Sequence, residues 1–282
     1  MNVIFVVIGV IVFALFLLYG YCLKFFLKTE NYRILTDSAV ADKRFVLLTD
    51  LHGNTHGKNN EKLLRQIAGA DPDVVCIAGD MTVKSGKGSE EMLLLLEELV
   101  KNYPVYYSPG NHEIRMPDYV AYKERVKKLG VFYLENEWMH LPDGYVIGGL
   151  DLPEYWYHKF FQKRILTNSD LELIMEPAQK KYEGENVFPV LLAHNPEYFP
   201  QYAKWGTKLV LSGHIHGGIA RLPFLGGVIS PSLRLFPTYD AGLFRENESY
   251  MVLSRGLGLH HIRFRFFNRP ELSVIDIQKK NR

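Results

Sequence analysis

Five apolar runs in this chain each end on aspartate, histidine or asparagine, and that repeated ending constrains the fold more than any other feature. Phe45–Thr49 leads into Asp50-Leu51-His52, and Val74–Ala78 into Gly79-Asp80. Val105–Ser108 leads, through a proline, into Gly110-Asn111-His112-Glu113. Val190–Ala193 runs into His194-Asn195, and Leu209–Ser212 into Gly213-His214-Ile215-His216-Gly217-Gly218. Runs of this length and composition read as buried strands, and in open α/β sheets the carboxyl ends of strands gather along one edge, where ligands bind. The topology therefore pools these side chains in one place.

Amphipathic stretches alternate with the strands. Helices are predicted over Asn60–Ala68, Glu90–Lys101, Tyr119–Leu129 and Asp170–Glu176. Met92, Leu93, Leu96 and Leu99 give the second an apolar face at helical spacing, which marks them as core. Further strands are predicted over Tyr145–Gly149, Met251–Leu253, Ile262–Phe266 and Leu272–Ile277. The class is α/β, with strands buried between layers. Residues 24–43 read as a linker, and residues 44–282 as one domain of about 240 residues, near the upper limit for a single core.

The amino-terminal segment differs from all of this. From Asn2 to Leu23 no side chain is charged, and most are Val, Ile, Leu or Phe. As a helix it spans roughly 33 Å, enough to cross a hydrocarbon layer of about 30 Å. A cleaved signal peptide fits less well: no basic region precedes the run, the run is too long, and Gly20-Tyr21-Cys22 is a poor cleavage site. Residues 1–23 are therefore read as a single-pass cell-membrane anchor. Tyr19 and Tyr21 stand where an aromatic belt belongs. Lys24 and Lys28 follow the run, which under the positive-inside rule places the following domain in the cytoplasm. Cys22 and Cys76, both in apolar surroundings, give no disulfide framework.

Singly, each polar strand end has an ordinary explanation: aspartate caps helices, and Asn-His after Pro-Gly forms turns. Together they do not. Seven imidazole, carboxylate and amide groups on adjoining ends are costly to bury without a shared partner. Two divalent cations supply one. A mixed Asp/His/Asn set suits Mn²⁺, with Fe or Zn²⁺ as alternatives, better than Ca²⁺ or Mg²⁺, which prefer oxygen shells.

The ordered set D-x-H, G-D, G-N-H-E, H and G-H-x-H resembles the calcineurin-like metallophosphoesterase superfamily from about Phe45 to the carboxyl terminus. Gly213-His-Ile-His-Gly-Gly, Arg221-Leu-Pro-Phe and Arg255-Gly-Leu-Gly-Leu resemble its membrane-anchored bacterial branch of YaeI-like and YkuE-like phosphohydrolases. The resemblance implies a four-layer α-β-β-α sandwich behind one transmembrane helix. It also implies that Asp50, His52 and His216 hold one metal, that Asn111, His194 and His214 hold a second, and that Asp80 bridges them. A water or hydroxide between two such metals would attack phosphorus in line. His112 is implied as the catalytic acid that protonates the leaving oxygen, a role that an imidazole suits at neutral pH. Glu113 is expected to fix its loop. Where the family often has Leu-Gly or a similar pair after D-x-H, this chain has Gly53-Asn54-Thr55-His56, and His56 is expected at the surface. Asp151 is expected to be a cap or a supporting acceptor.

The expected function is hydrolysis of a phosphoester or pyrophosphate, with the anchor favouring a lipid-linked substrate such as a UDP-2,3-diacylglucosamine-type pyrophosphate. A catalytically silent metal-binding scaffold and a phosphodiesterase or nuclease acting on soluble substrates are the alternatives. A net charge of +2 argues against nucleic acid. The acid-free stretch between Gly217 and Tyr239 is expected to pack back over the sheet rather than meet lipid, and Arg263 and Arg265 to lie together on a solvated strand face.

Overall fold

The computed structural model describes residues 2–38, 40–157, 165–179, 186–218, 220–222, 224–230, 235–259 and 265–280. Two six-stranded sheets face each other. The first contains β1 (Lys28–Thr36), β2 (Lys43–Leu48), β3 (Val74–Ala78), β4 (Val105–Ser108), β5 (Phe132–Tyr133) and β14 (Glu271–Lys279), in the order β1-β14-β2-β3-β4-β5. The second contains β6 (Glu137–Leu141), β7 (Tyr145–Leu150), β8 (Phe188–Ala193), β9 (Leu209–Ser212), β12 (Gly242–Glu246) and β13 (Ser249–Leu253), in the order β12-β13-β9-β8-β7-β6. A small hairpin, β10 (Ala220–Leu222) and β11 (Gly226–Ile229), stands apart.

Three apolar layers hold these parts together. Phe45, Leu47, Cys76, Tyr145, Val190, Leu211 and Ile275 pack between the sheets. The alternate residues of β2 and β3, Val46, Leu48, Val75 and Ile77, face α2 (Glu61–Ala70), α3 (Ser89–Val100) and α4 (Tyr119–Lys128). Val146, Leu191 and Val210 face outward from the second sheet toward α5 (Asn168–Gln179) and α6 (Phe199–Lys204). Central parallel strands covered on both faces must be apolar throughout, which is why β3 reads Val-Val-Cys-Ile-Ala with all five residues buried. The result is the α-β-β-α sandwich.

Two expectations need correction. Residues 28–36, read as part of a linker, form β1, which pairs in parallel with β14 from Lys28↔Glu271 to Thr36↔Lys279. Its charged alternation hid it: β1 is an edge strand, and edges carry charge to discourage pairing with other chains. The predicted strand Ile262–Phe266 falls largely on 260–264, outside the described residues, as does Arg263. Arg265 is described, and it is buried rather than solvated.

Helix α1 (Asn2–Cys22) precedes the sandwich, and residues 3–19 are exposed on every side. It is long and apolar enough to cross a bilayer. Among the described residues its last turns meet the domain: Phe16 lies 5.1 Å from Phe266 and 4.9 Å from Phe267, ring centre to ring centre, and Tyr19 lies 5.7 Å from Phe267.

Candidate metal centre

The ends of β2, β3, β4, β8 and β9 turn sharply where the two sheets meet. Asp50, His52, Asp80, His214 and His216 all have positive φ, between 49° and 74°. For residues other than glycine this left-handed region costs roughly 1–2 kcal/mol each, so five together must be held by their surroundings. Backbone bonds between neighbouring loops do so. Asp50 N–H donates to Gly79 O (3.0 Å), His52 N–H to Asp80 O (3.0 Å), Gly213 N–H to His194 O (3.2 Å) and Gly258 N–H to Asp50 O (2.7 Å). Gly213 cannot carry a side chain here, because a Cβ would lie 2.1 Å from Thr49 Oγ1 and 2.3 Å from Asp50 Oδ2.

The side chains converge as the strand ends predict. Asp50, His52 and His216 bring one ligand atom each within 4.8 Å of one another, as do Asp80, His194 and His214, and as do His52, Asp80 and His112. Asp50 Oδ1 lies 3.4 Å from His216 Nε2 and 3.9 Å from both His52 Nε2 and His194 Nε2. Asp80 Oδ2 lies 3.1 Å from His194 Nε2 and 3.9 Å from His112 Nε2. His194 Nδ1 donates to the carbonyl of Ala78, which turns its Nε2 toward the two aspartates. Asn111 is buried beside them, and its Oδ1 has no hydrogen-bond partner among the described residues.

Such a concentration of buried carboxylates calls for positive charge at its centre. Burial raises Asp50 to about 7 against the pull of His194. Burial also works against ionised Asp80, yet His194, His112 and His52 hold that carboxyl well below its ordinary range. Burial lowers the His194 imidazole, and the two aspartates overcome this to bring it up to about 10. A divalent cation replaces the protons in such a cluster. An orphaned amide oxygen, two aspartates and imidazoles with inward nitrogens form a donor set that fits one.

Supporting residues fix the loops. The Glu113 carboxylate accepts from Asp80 N–H (2.8 Å), Gly110 N–H (3.0 Å), Thr82 N–H (3.0 Å) and the Tyr107 hydroxyl (2.9 Å), so it ties the β3 and β4 ends together. This is the loop-fixing role expected from sequence. His112 N–H donates to Asp80 Oδ1 (2.8 Å), while its Nδ1 accepts from Lys84 N–H (3.3 Å). A neutral His112 in that arrangement carries its proton on Nε2, the atom facing the centre.

With this geometry in place, the comparison with known proteins is direct: residues 43–218 match the calcineurin-like phosphoesterases. The chain belongs to the calcineurin-like phosphoesterase family. Its members are metal-dependent phosphoester hydrolases of the dinuclear type. Among relatives, the chain is 25% identical to the uncharacterized metallophosphoesterase YkuE of Bacillus subtilis over 74% of this chain and 69% of that protein. It is 28% identical to an uncharacterized metallophosphoesterase of Helicobacter pylori over 90% of this chain and 65% of that protein. A zebrafish (Danio rerio) transmembrane protein with a metallophosphoesterase domain is 26% identical over 84% of this chain and 53% of its own length. The chain thus spans about two thirds of the two bacterial relatives and about half of the zebrafish one.

Several neighbours of the centre escaped the sequence reading. Tyr157 packs 5.2 Å from the His214 ring and 6.0 Å from that of His194. The Asn268 amide donates to the carbonyls of His216 and Gly218 (both 2.6 Å), and buried Arg265 donates to Gly258 O (2.5 Å) and reaches within 3.5 Å of His216 Nδ1. Neither Asn268 nor Arg265 belongs to a motif; both are placed by chain folding alone. His56, expected at the surface, is instead half-buried with Nε2 on Leu257 O (2.8 Å), and burial lowers its imidazole. Asp151 is no cap: its Oδ1 is buried with no hydrogen-bond partner among the described residues, and burial followed by the Glu135 charge raises its carboxyl to about 7.

Proposed function

We propose that this chain is a membrane-anchored phosphohydrolase that cleaves a phosphoester or pyrophosphate bond. Asp50, His52 and His216 would hold one divalent cation, and Asn111, His194 and His214 a second, with Asp80 between them. Mn²⁺ suits this donor set, and Fe or Zn²⁺ are the alternatives. When bound, the two cations supply a water of lowered pKa and offset the charge that develops on the phosphoryl oxygens. The protein's own work is positional. Glu113 keeps the Asp80 and Asn111 loops in register, and the Ala78 carbonyl sets the His194 tautomer. His112 presents Nε2–H toward the centre, where it can protonate a departing oxygen. The observation that carries the reading is the meeting of five strand ends on one pair of buried aspartates.

Helix α1 would cross the cell membrane once, with the catalytic domain in the cytoplasm, and a lipid-linked phosphate substrate suits that placement. The test uses the full chain in detergent with Mn²⁺ and aryl phosphate mono- and diesters. Turnover is expected, with close to two metals per chain, and Asp80→Ala should abolish it. Activity undiminished in Asp80→Ala would overturn the proposal. Two metals per chain without turnover on any phosphoester would instead favour a silent scaffold.

A further inference from the structure

Outside the metal centre and α1, a cluster of exposed apolar side chains occupies one stretch of the domain. Leu222, Phe224, Leu225, Leu235 and Phe236 are all exposed, Phe224 completely, within a segment from Gly217 to Tyr239 that has no acidic residue. This contradicts the expectation that the stretch packs back over the sheet. Its first part is the β10–β11 hairpin, whose tip carries Phe224 at φ 68°. Arg234, in the same stretch, lies outside the described residues.

The base of the hairpin sits on the metal centre's last loop. Arg221 donates to Gly217 O (3.0 Å), and Gly218 approaches so closely that a Cβ would lie 2.9 Å from Ile229 O. The hairpin is also joined to α1 through Phe266. Ala220 bridges to Phe266, and Arg221 N–H donates to Phe266 O (3.0 Å). The Phe266 ring lies against α1 at Gly20, where a Cβ would come within 2.3 Å of it, and against Phe16. Phe16 stands six residues before Cys22, so this contact reaches roughly 9 Å back along the helix from its carboxyl end. A domain wedged that far along a membrane span sits against the headgroups.

The surroundings fit a lipid surface. Phe25 and Phe26 are exposed where α1 ends, and Lys24 Nζ lies 3.5 Å over the centre of the Tyr21 ring. Aromatic rings with a basic side chain at the end of an apolar helix are the usual occupants of the bilayer interface. Exposed apolar patches of this kind mark contact surfaces, and continuity with α1 through Phe266 selects lipid as the occupant.

We propose that the β10–β11 hairpin, with Leu235 and Phe236, is a second membrane contact that seats the metal centre's last loop on the bilayer interface. The proposal rests on α1 being a membrane span. The substrate would then enter from the lipid surface rather than from bulk water.

The test is spin-label depth measurement on the full chain carrying Cys22→Ser, reconstituted into vesicles of phosphatidylcholine and phosphatidylglycerol. One nitroxide is placed at Phe224→Cys, a second at Leu225→Cys, and a reference at Leu173→Cys, exposed on α5. Flotation with the vesicles is expected, with oxygen-to-nickel collision ratios at 224 and 225 several-fold above that at 173. Flotation with equal ratios at all three positions would overturn the hairpin contact and leave the anchor standing. Labels at 224 and 225 shielded from both relaxers would show a protein occupant and overturn it too. A chain that does not float would overturn the anchor, and the hairpin contact with it.

Discussion

Replacing Glu113 by glutamine isolates the scaffold from the chemistry, because Glu113 touches neither proposed cation yet fixes the loops of two proposed ligands. Its Oε2 accepts from the backbones of Asp80 and Gly110, and its Oε1 from the backbone of Thr82 and the hydroxyl of Tyr107. A glutamine keeps one oxygen. The favourable rotamer places that oxygen on the Asp80 and Gly110 amides and its NH₂ toward Thr82 and Tyr107. The Tyr107 hydroxyl can rotate to accept, but the Thr82 N–H cannot and is left facing a donor. One buried unsatisfied amide costs about 1–3 kcal/mol. For a domain of this size, that corresponds to a fall of roughly 2–12 °C in Tm. Glu113→Ala strands three buried amides, and its loss should be several times larger. The assay is thermal unfolding of the full chain in detergent, followed by near-ultraviolet circular dichroism, with metal content measured on the same samples. A Glu113→Gln protein that melts with the wild type would refute the hydrogen-bond accounting. So would a Glu113→Ala protein no less stable than Glu113→Gln.

Gly213→Ala places a Cβ 2.3 Å from Asp50 Oδ2; metal bound per chain should fall toward one, as read by atomic emission, with the ion of the Asp50–His52–His216 set the one lost. His112→Asn should retain both metals and lower kcat by about 10²–10⁴-fold on alkyl phosphates, with a smaller loss on aryl phosphates, whose leaving groups need no proton. Asp151→Asn tests a pH dependence. Its carboxyl is raised to about 7 by burial and by Glu135, so between about 4 and 7 the folded chain holds a proton that the unfolded chain has lost. Wild-type stability therefore falls as pH rises through that window. The variant should match wild type below pH about 4 and exceed it by a few kcal/mol above pH about 7. Equal urea midpoints at high pH would refute this.

The candidate site was legible in the sequence because it is written at strand ends, where each proposed ligand is local to a recognisable run. Val74–Ala78 announces a buried strand, and Gly79-Asp80 must follow at its carboxyl edge. Residues whose role arises from distant packing were not legible. Nothing near Arg265 says that it will turn inward onto the carbonyls of Gly256 and Gly258. Period-two alternation placed it on a solvated face, a reading that assumes a regular strand. β1 was missed for a related reason, since its partner lies at the other end of the chain and its own charges speak of solvent. The exposed hairpin was misjudged because apolar composition signals burial without saying whether protein or lipid does the burying.

The placement of β14 has a consequence for biosynthesis. β1 and β2 are neighbours in sequence, yet β14 lies between them, paired on both sides. The first sheet therefore cannot close until residues as far as Lys279 have left the ribosome. Helix α1, by contrast, emerges before every one of these strands. From the synthesis of β1 onward the nascent domain would carry its first sheet open, and completion of that sheet waits on the nine-residue strand Glu271–Lys279.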